Sequence, residues 1–561
     1  MKLKFFLNLL LFNLCLLTIT STFAQVPVAK RVRTFDVQQY IIRSNFDRKN
    51  KIYLGDSTII LKPLNAGFNT LLLDAAGMKF DSITIEPDNK LLKYNQIDEK
   101  LSITLDKSYS SNDTIRVRFK FTSKPQKGVY FRDEAKDFEG KILHPAQVWT
   151  QGEAEEAHFW FPSYDFPDDK VITEQFITTP KNEIAVANGE LLETVENPDG
   201  TKTFHFKMPV EHSVYLTSFV VGNYVKVESK YKDIPLSFYV YPGKEAIAEK
   251  AYGKTPDMMR VYEELTGVNF PYNKYDQTIV AEFQFGGMEN ITATTMNDSE
   301  ILMADSDYGK EITTDLVSHE LAHSWFGDLV TCKSWSELWL NEGFATFMEA
   351  AYREKLNGRK DYLRKIIEDA ESFKSSDAYS TKRPPLFNSK AEPVTLFDEP
   401  AFIYQKGGAV LHTLREEVGT ENFWKAINAY LNEHKFGNVE STDLKKAMET
   451  ASGKDLTWFF NQWVYKGGYP KLSVKQVYNP TTKKLTLTVS QVQKVDTITP
   501  AAFILPMDVE IVTAKGTKTE QIQINKRVQT FLIQLEGKPT KTIFDKDLKI
   551  PIKSVKMLPL L

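Results

Sequence analysis

Two histidines four residues apart, with a glutamate directly after the first, stand in "VSHELAHSWFGDLV" (residues 317–330) of a 561-residue chain that has only 8 histidines. On a helix His319 and His323 share one face with Cβ atoms about 5–6 Å apart, close enough to grip one ion. Zinc takes imidazole nitrogens and carboxylates, and a catalytic site keeps one of its four positions for water. Glu320 lies about 100° further round the helix and stays free to act as a base on that water. The run fits the HExxH pattern. A third ligand has to come from a neighbouring helix, and "LWLNEGFATFME" (residues 338–349) offers Glu342. Glu349, two turns further on, is either a partner for the outer nitrogen of a ligand histidine or a solvated helix acid. Cys332 lies between the ligands and reads as a packed small residue.

Upstream, "EFQFGGMENITATT" (residues 282–295) sets Gly286 and Gly287 before Met288 and Glu289. Paired glycines in a β-rich run point to close approach of another backbone. An extended peptide adding there as a strand would gain main-chain hydrogen bonds. Glu289 would then face the end of that peptide and offer charge-assisted hydrogen bonds to a free ammonium.

The elements that must carry these residues fall into three textures. From about residue 30 to 228, short alternating segments such as "STIILK", "LSITL" and "TIRVRFKF" predict a mostly antiparallel β domain. In "TIRVRFKF", Ile115, Val117, Phe119 and Phe121 take one face, and Arg116, Arg118 and Lys120 the other. Between about 229 and 468 the pattern turns helical, in "EITTDLVSHELAHSWFGDLV", "SELWLNEGFATFMEAAYREKLNG" and "STDLKKAMETASG". The second of these ends at Asn357 and Gly358, a helix stop. Alternation returns after "GGYP", and 469–561 reads as a small β sandwich. The expected fold is therefore multidomain α+β: an N-terminal antiparallel β domain over 25–228, a mainly α domain over 229–468, and the C-terminal sandwich.

The first 24 residues read as a secretory signal peptide: a lysine-bearing start, an apolar run broken by Asn8 and Asn13, and a small-residue end at Ala24. The run is too short for a spanning helix, so no stable membrane insertion is expected after cleavage, and the location is exported, periplasmic or secreted. Cys15 lacks the small residues that precede a lipidated cysteine. Cys332 is the other of the 2 cysteines, so no internal disulfide is expected in the exported product. A net charge of −3 with no long run of one sign argues against a nucleic-acid partner.

With these residues in view, the chain resembles the aminopeptidase N-like gluzincin family of zinc metallopeptidases (peptidase M1). The likeness rests on "GGMEN" at 286–290, "HELAH" at 319–323, "TCKSWSELWLNEGFATFME" at 331–349 and "YQKGGAVL" at 404–411, together with "TQGEAEEAHFWFPSYDFPDDK" at 150–170 and "WVYKGGYP" at 463–470. It spans about residues 30–550. The resemblance implies a thermolysin-like catalytic domain and one Zn²⁺ per chain held by His319, His323 and Glu342. It further implies Glu320 as general base, Tyr404 as oxyanion stabiliser, and Glu289 with Glu153 as anchors for the α-amine. Gln151 and Met288 match positions that line the first specificity pocket. The implied activity is removal of the N-terminal residue from peptides with a free α-amine. The chain departs from the family's usual residues at His158, at Ser163 and in "ITATT". It also ends after the sandwich, without the helical domain that roofs the site in many relatives, and a more open site is expected.

Overall fold

The computed structural model describes residues 31–561; the expected export segment, 1–24, lies outside them. The β-rich N-terminal unit is built on an eight-stranded sheet whose inner strands run, in order, Thr201–Ser213, Lys170–Pro180, Phe35–Asp47, Ile52–Pro63, Ile115–Ser123 and Met78–Ile85. The alternation in "TIRVRFKF" is realised: Ile115, Val117, Phe119 and Phe121 are buried. On the outer face Arg118 reaches Asp56 of the adjacent strand at 2.6 Å, and Arg116 reaches Glu86 at 2.8 Å. One pairing breaks the antiparallel expectation, because Phe35–Asp47 runs parallel to Lys170–Pro180. These strands are far apart in sequence, so no hairpin turn dictates their direction. A smaller four-stranded sheet carries Gln147–Thr150, which leads into the Gln151–Glu153 segment.

The middle unit couples a five-stranded sheet to helices. Its strand order is Val225–Tyr231, Ile234–Val240, Tyr275–Val280, Ala293–Asn297 and, at the edge, Gly287–Met288. Helix Asp307–Ala322 begins at Ser306, whose hydroxyl accepts the Gly309 N–H. The helical reading of 311–330 overran: the helix stops at Ala322 with His323 as its cap. The chain tightens there, with Trp325 N–H donating to Ala322 O. Gly327 then takes φ +140°, a conformation that side chains rarely allow, and strand Val330–Cys332 follows.

Helix Trp339–Asn357 is buried along its whole length from Trp339 to Arg353 and ends at Gly358, φ +85°, as the sequence predicts. A helix apolar on all sides belongs at the centre of a domain. Helix Tyr404–Val418 lies directly against it. A Cβ at Gly343 would fall 2.9 Å from the Gly407 Cα, so two glycines let the backbones touch and draw Tyr404 towards Glu342.

The C-terminal unit has a four-stranded and a three-stranded sheet. Leu485, Leu487 and Val489 of one and Leu505, Met507, Val509 and Ile511 of the other are buried on alternating positions. Among the described residues no helix is long and apolar enough to cross a membrane.

Candidate active site

His319 sits in the last turn of its helix and His323 caps it, with ring centroids 4.8 Å apart. Glu342, in the first turn of the neighbouring helix, brings Oε2 to 3.2 Å from His319 Nε2 and 3.3 Å from His323 Nε2. The three donor atoms lie within 4.8 Å of one another, and all three side chains are buried.

The far side of each ring is occupied. His319 Nδ1 lies 2.7 Å from Glu349 Oε1, and His323 Nδ1 lies 2.9 Å from the Phe326 carbonyl. Hydrogen bonds of this kind fix the ring orientation and leave both Nε2 atoms facing Glu342. Glu349 is therefore a buried partner of His319 rather than a solvated acid. Cys332 is buried, as expected of a packed residue.

The electrostatics follow from the crowd of acids. Burial raises the Glu320 carboxyl to about 8. Burial and neighbouring acids raise Glu153 well above the carboxylate range, and burial also raises Glu289. Glu342 behaves in the opposite way: burial opposes its charge, but His323 and both imidazole hydrogen bonds hold it down at about 2. His319, despite burial, is held up at about 9 by Glu342 and Glu349. Two imidazoles face more carboxylates than they can balance. A divalent cation fits this donor set of two Nε2 atoms and one carboxylate in charge and in type.

Glu320 lies beneath the edge strand. A Cβ on Gly287 would come within 2.3 Å of Glu320 Oε1, so glycine is required for this carboxylate to occupy this place. Beyond it, Glu289 Oε1 receives the Tyr215 hydroxyl at 3.5 Å, and that hydroxyl accepts the Asn341 amide at 3.2 Å. Glu153 is buried, and its Oε1 has no hydrogen-bond partner among the described residues. Tyr404 opens its helix, and its ring stacks on His319 with centroids 5.8 Å apart and planes at 14°. Burial and the surrounding acids push the phenol pKa well up, so the hydroxyl keeps its proton to donate.

These side chains surround one cavity of about 360 Å³, lined by Glu153, Gly286, Gly287, Glu289, His319, Glu320, His323, Glu342 and Tyr404. Gln151 and Met288 are not part of its lining. They are buried against each other, with Gln151 Nε2 at 3.3 Å from Met288 Sδ.

Residues 37–216 match the model described as the peptidase M1 N-terminal domain, and residues 250–463 match the peptidase family M1 domain. The chain belongs to peptidase family M1. Curated M1 relatives include an alanine/arginine aminopeptidase of Saccharomyces cerevisiae, 34% identical over 60% of this chain and 40% of the relative. An aminopeptidase N of Streptomyces lividans is 32% identical over 58% of this chain and 38% of the relative. A leucyl aminopeptidase of Saccharolobus solfataricus is 26% identical over 91% of this chain and 61% of the relative. The chain spans about half the length of the curated relatives it matches.

Within the M1 match, several residues of the site left no mark in the sequence. Tyr215 and Asn341 meet Glu289 only through the fold. Lys365 approaches Glu349 from the next helix at 2.9 Å. Phe285 and Phe397, which also line the cavity, meet with ring centroids 5.3 Å apart. The one local signal was the position of Asn341, next to Glu342, which puts it in the same helical turn.

Proposed function

We propose that the protein is a zinc-dependent aminopeptidase that removes the N-terminal residue from peptides with a free α-amine. The observation that carries this reading is the placement of Glu153 and Glu289 beside the metal triad, with oxygens within 4.8 Å of each other and of Glu342. Buried carboxylates without a cationic partner are costly. A substrate ammonium supplies that partner, whereas an acylated terminus leaves both acids unmet.

His319, His323 and Glu342 would hold the ion. When bound, zinc acidifies a water and polarises the scissile carbonyl. Glu320 accepts the proton of the attacking water and passes it to the leaving amine. Tyr404 donates a hydrogen bond to the carbonyl oxygen as negative charge gathers there. The peptide backbone pairs with the edge strand at Gly287–Met288, which aligns the first peptide bond over Glu320. In this reading the middle unit is thermolysin-like, the C-terminal sheets form a sandwich, and residues 1–24 direct export.

The test is hydrolysis of alanyl and leucyl chromogenic amides by the purified chain, metal-free and zinc-reloaded, beside free and N-acetylated peptides. Zinc-dependent cleavage confined to free termini is expected, and Tyr404→Phe should lower turnover by about 10²–10³-fold. Equal cleavage of the acetylated peptide overturns the amine requirement. No zinc-restored turnover overturns the enzyme.

A further inference from the structure

The fold places a lysine behind the metal site that the catalytic reading does not use. Lys365, on helix Arg359–Tyr379, is buried to 8% exposure. Its ammonium donates to Glu349 Oε2 at 2.9 Å and to Asp369 Oδ1 at 2.7 Å. Glu349 uses its other oxygen, Oε1, for His319 Nδ1 at 2.7 Å. Three helices are thereby joined in one line: Lys365 from one, Glu349 from the second, His319 from the third.

The two oxygens of Glu349 have different tasks. A carboxylate turns about its terminal bond with a broad, roughly two-fold preference, so a single bond to His319 leaves its plane free. With Oε2 fixed by Lys365, the plane is set and Oε1 stays aimed at Nδ1. The plane of the His319 ring then follows, and with it the direction of Nε2. Tyr404 stacks on that same ring, so the ring is defined on its edge by Glu349 and on its face by the phenol.

We infer that Lys365 is a positioning residue for zinc: acting through Glu349, it orients His319 and sets the strength with which the triad holds the ion. The inference rests on the zinc reading of the site but not on the peptide reading. Loss of an outer partner of a metal-binding histidine typically weakens metal binding by about 10–100-fold. Lys365→Met removes the donor, and Lys365→Arg keeps it.

The experiment measures zinc affinity of the full chain by competition with a chromophoric chelator, together with the visible spectrum of the cobalt(II)-substituted protein. Urea unfolding of the metal-free forms runs alongside. Lys365→Met should weaken zinc by about tenfold or more and shift the cobalt bands, while Lys365→Arg restores both. In a Glu349→Gln background Lys365→Met should add little, because the two residues act in series.

Zinc affinity and cobalt bands unchanged in Lys365→Met, with any loss confined to metal-free stability, overturn the proposal. So do additive losses in the double variant. Should Lys365→Met fail to fold, Lys365→Gln is measured against the same outcomes, and failure of both assigns the lysine to folding alone and overturns the proposal. A wild-type chain that takes up no zinc would sink the function reading and this inference with it, whereas a zinc-binding chain with unchanged Lys365→Met affinity sinks this inference alone, so the two failures are distinguishable.

Discussion

His319 and Glu320 hold protons in the metal-free protein that an unfolded chain would have released, and this gives the site two opposed pH dependences. The Glu320 carboxyl stands at about 8 against an ordinary 4.5, mainly through burial. His319 stands at about 9 against 6.5, because Glu342 and Glu349 outweigh its burial. Both folded values are raised, so at these two groups the native state holds more protons than the unfolded state between about pH 5 and 9, and their contribution to unfolding free energy falls as pH rises through that window. Glu342, held down at about 2, contributes in the other sense, but its contribution is complete above about 4.5 and is lost only in strong acid. Zinc, in contrast, needs Nε2 of both histidines free of protons. Metal-free protein unfolded in urea at pH 6, 7, 8 and 9 should lose stability from pH 6 to 7; above that Lys170 and Lys406, which burial lowers to about 8 and about 7, oppose the trend. Zinc affinity by chelator competition should climb over the same range by up to about tenfold per pH unit for each proton displaced. Metal-free stability that rises steadily from pH 6 to 9 would contradict the assigned proton positions.

The segment around edge strand Gly287–Met288 and the connection ahead of helix Tyr404–Val418 together line the cavity that the proposed function gives to the peptide. Along the strand the order is Glu289 at one end, Gly287 over Glu320 in the middle, and Phe285 at the other end. A peptide whose amine meets Glu289 and whose first bond lies over Glu320 has its second residue near Phe285. There Phe285, Phe397 and Leu316 line the cavity, the two rings 5.3 Å apart at 59°. Phe285→Ala should therefore lower kcat/KM for peptides with a bulky apolar second residue by about tenfold or more, in line with apolar-pocket discrimination of about 10–200-fold. Peptides with glycine second should lose little, and an equal loss across the series would remove Phe285 from this role. The strand and the main helices were legible in the sequence because their signals are local: period two in "TIRVRFKF", and the helix stop at Gly358, whose φ is +85°. The histidine pair, and Glu342 with Glu349, were legible because helical spacing places each pair on one face, and Glu320 because the same spacing sets it off the histidine face. The connection carrying Phe397 has no such period. The helix end at Ala322 was hidden because the apolar pattern continues through Trp325 and Phe326, which turn inward instead. Tyr215, Lys365 and the parallel pairing of Phe35–Asp47 depend on segments distant in the chain, and no local pattern announces them.

The site is assembled across the boundary between the N-terminal and middle units, and that boundary has mechanical consequences. The first unit supplies Glu153 to the cavity, and its Asn188 holds the segment after "GGMEN" by donating to the Ile291 carbonyl at 2.8 Å. Its half-buried Lys170 reaches the loop after His323, donating to the Asp328 carbonyl at 3.3 Å and to the Thr331 hydroxyl. Thr331 in turn donates to the Gly327 carbonyl. This loop carries the Phe326 carbonyl that orients His323, so a lysine of the N-terminal unit braces the loop behind a candidate zinc ligand. Burial has already drawn the Lys170 pKa down to about 8; its place is retained by these oxygen partners and by the nearby Asp328 carboxylate. Lys170→Met keeps the stem and removes the donor, leaving the loop oxygens without their cation, at a cost of about 1–3 kcal/mol. Thermal unfolding of the zinc-loaded variant should show that loss, and zinc affinity should fall with it, because a looser loop lets the His323 ring turn. If the variant lost stability while its zinc affinity stayed at the wild-type value, the loop would be a structural seam only, and the N-terminal unit would serve the reaction through Glu153 without reaching the metal.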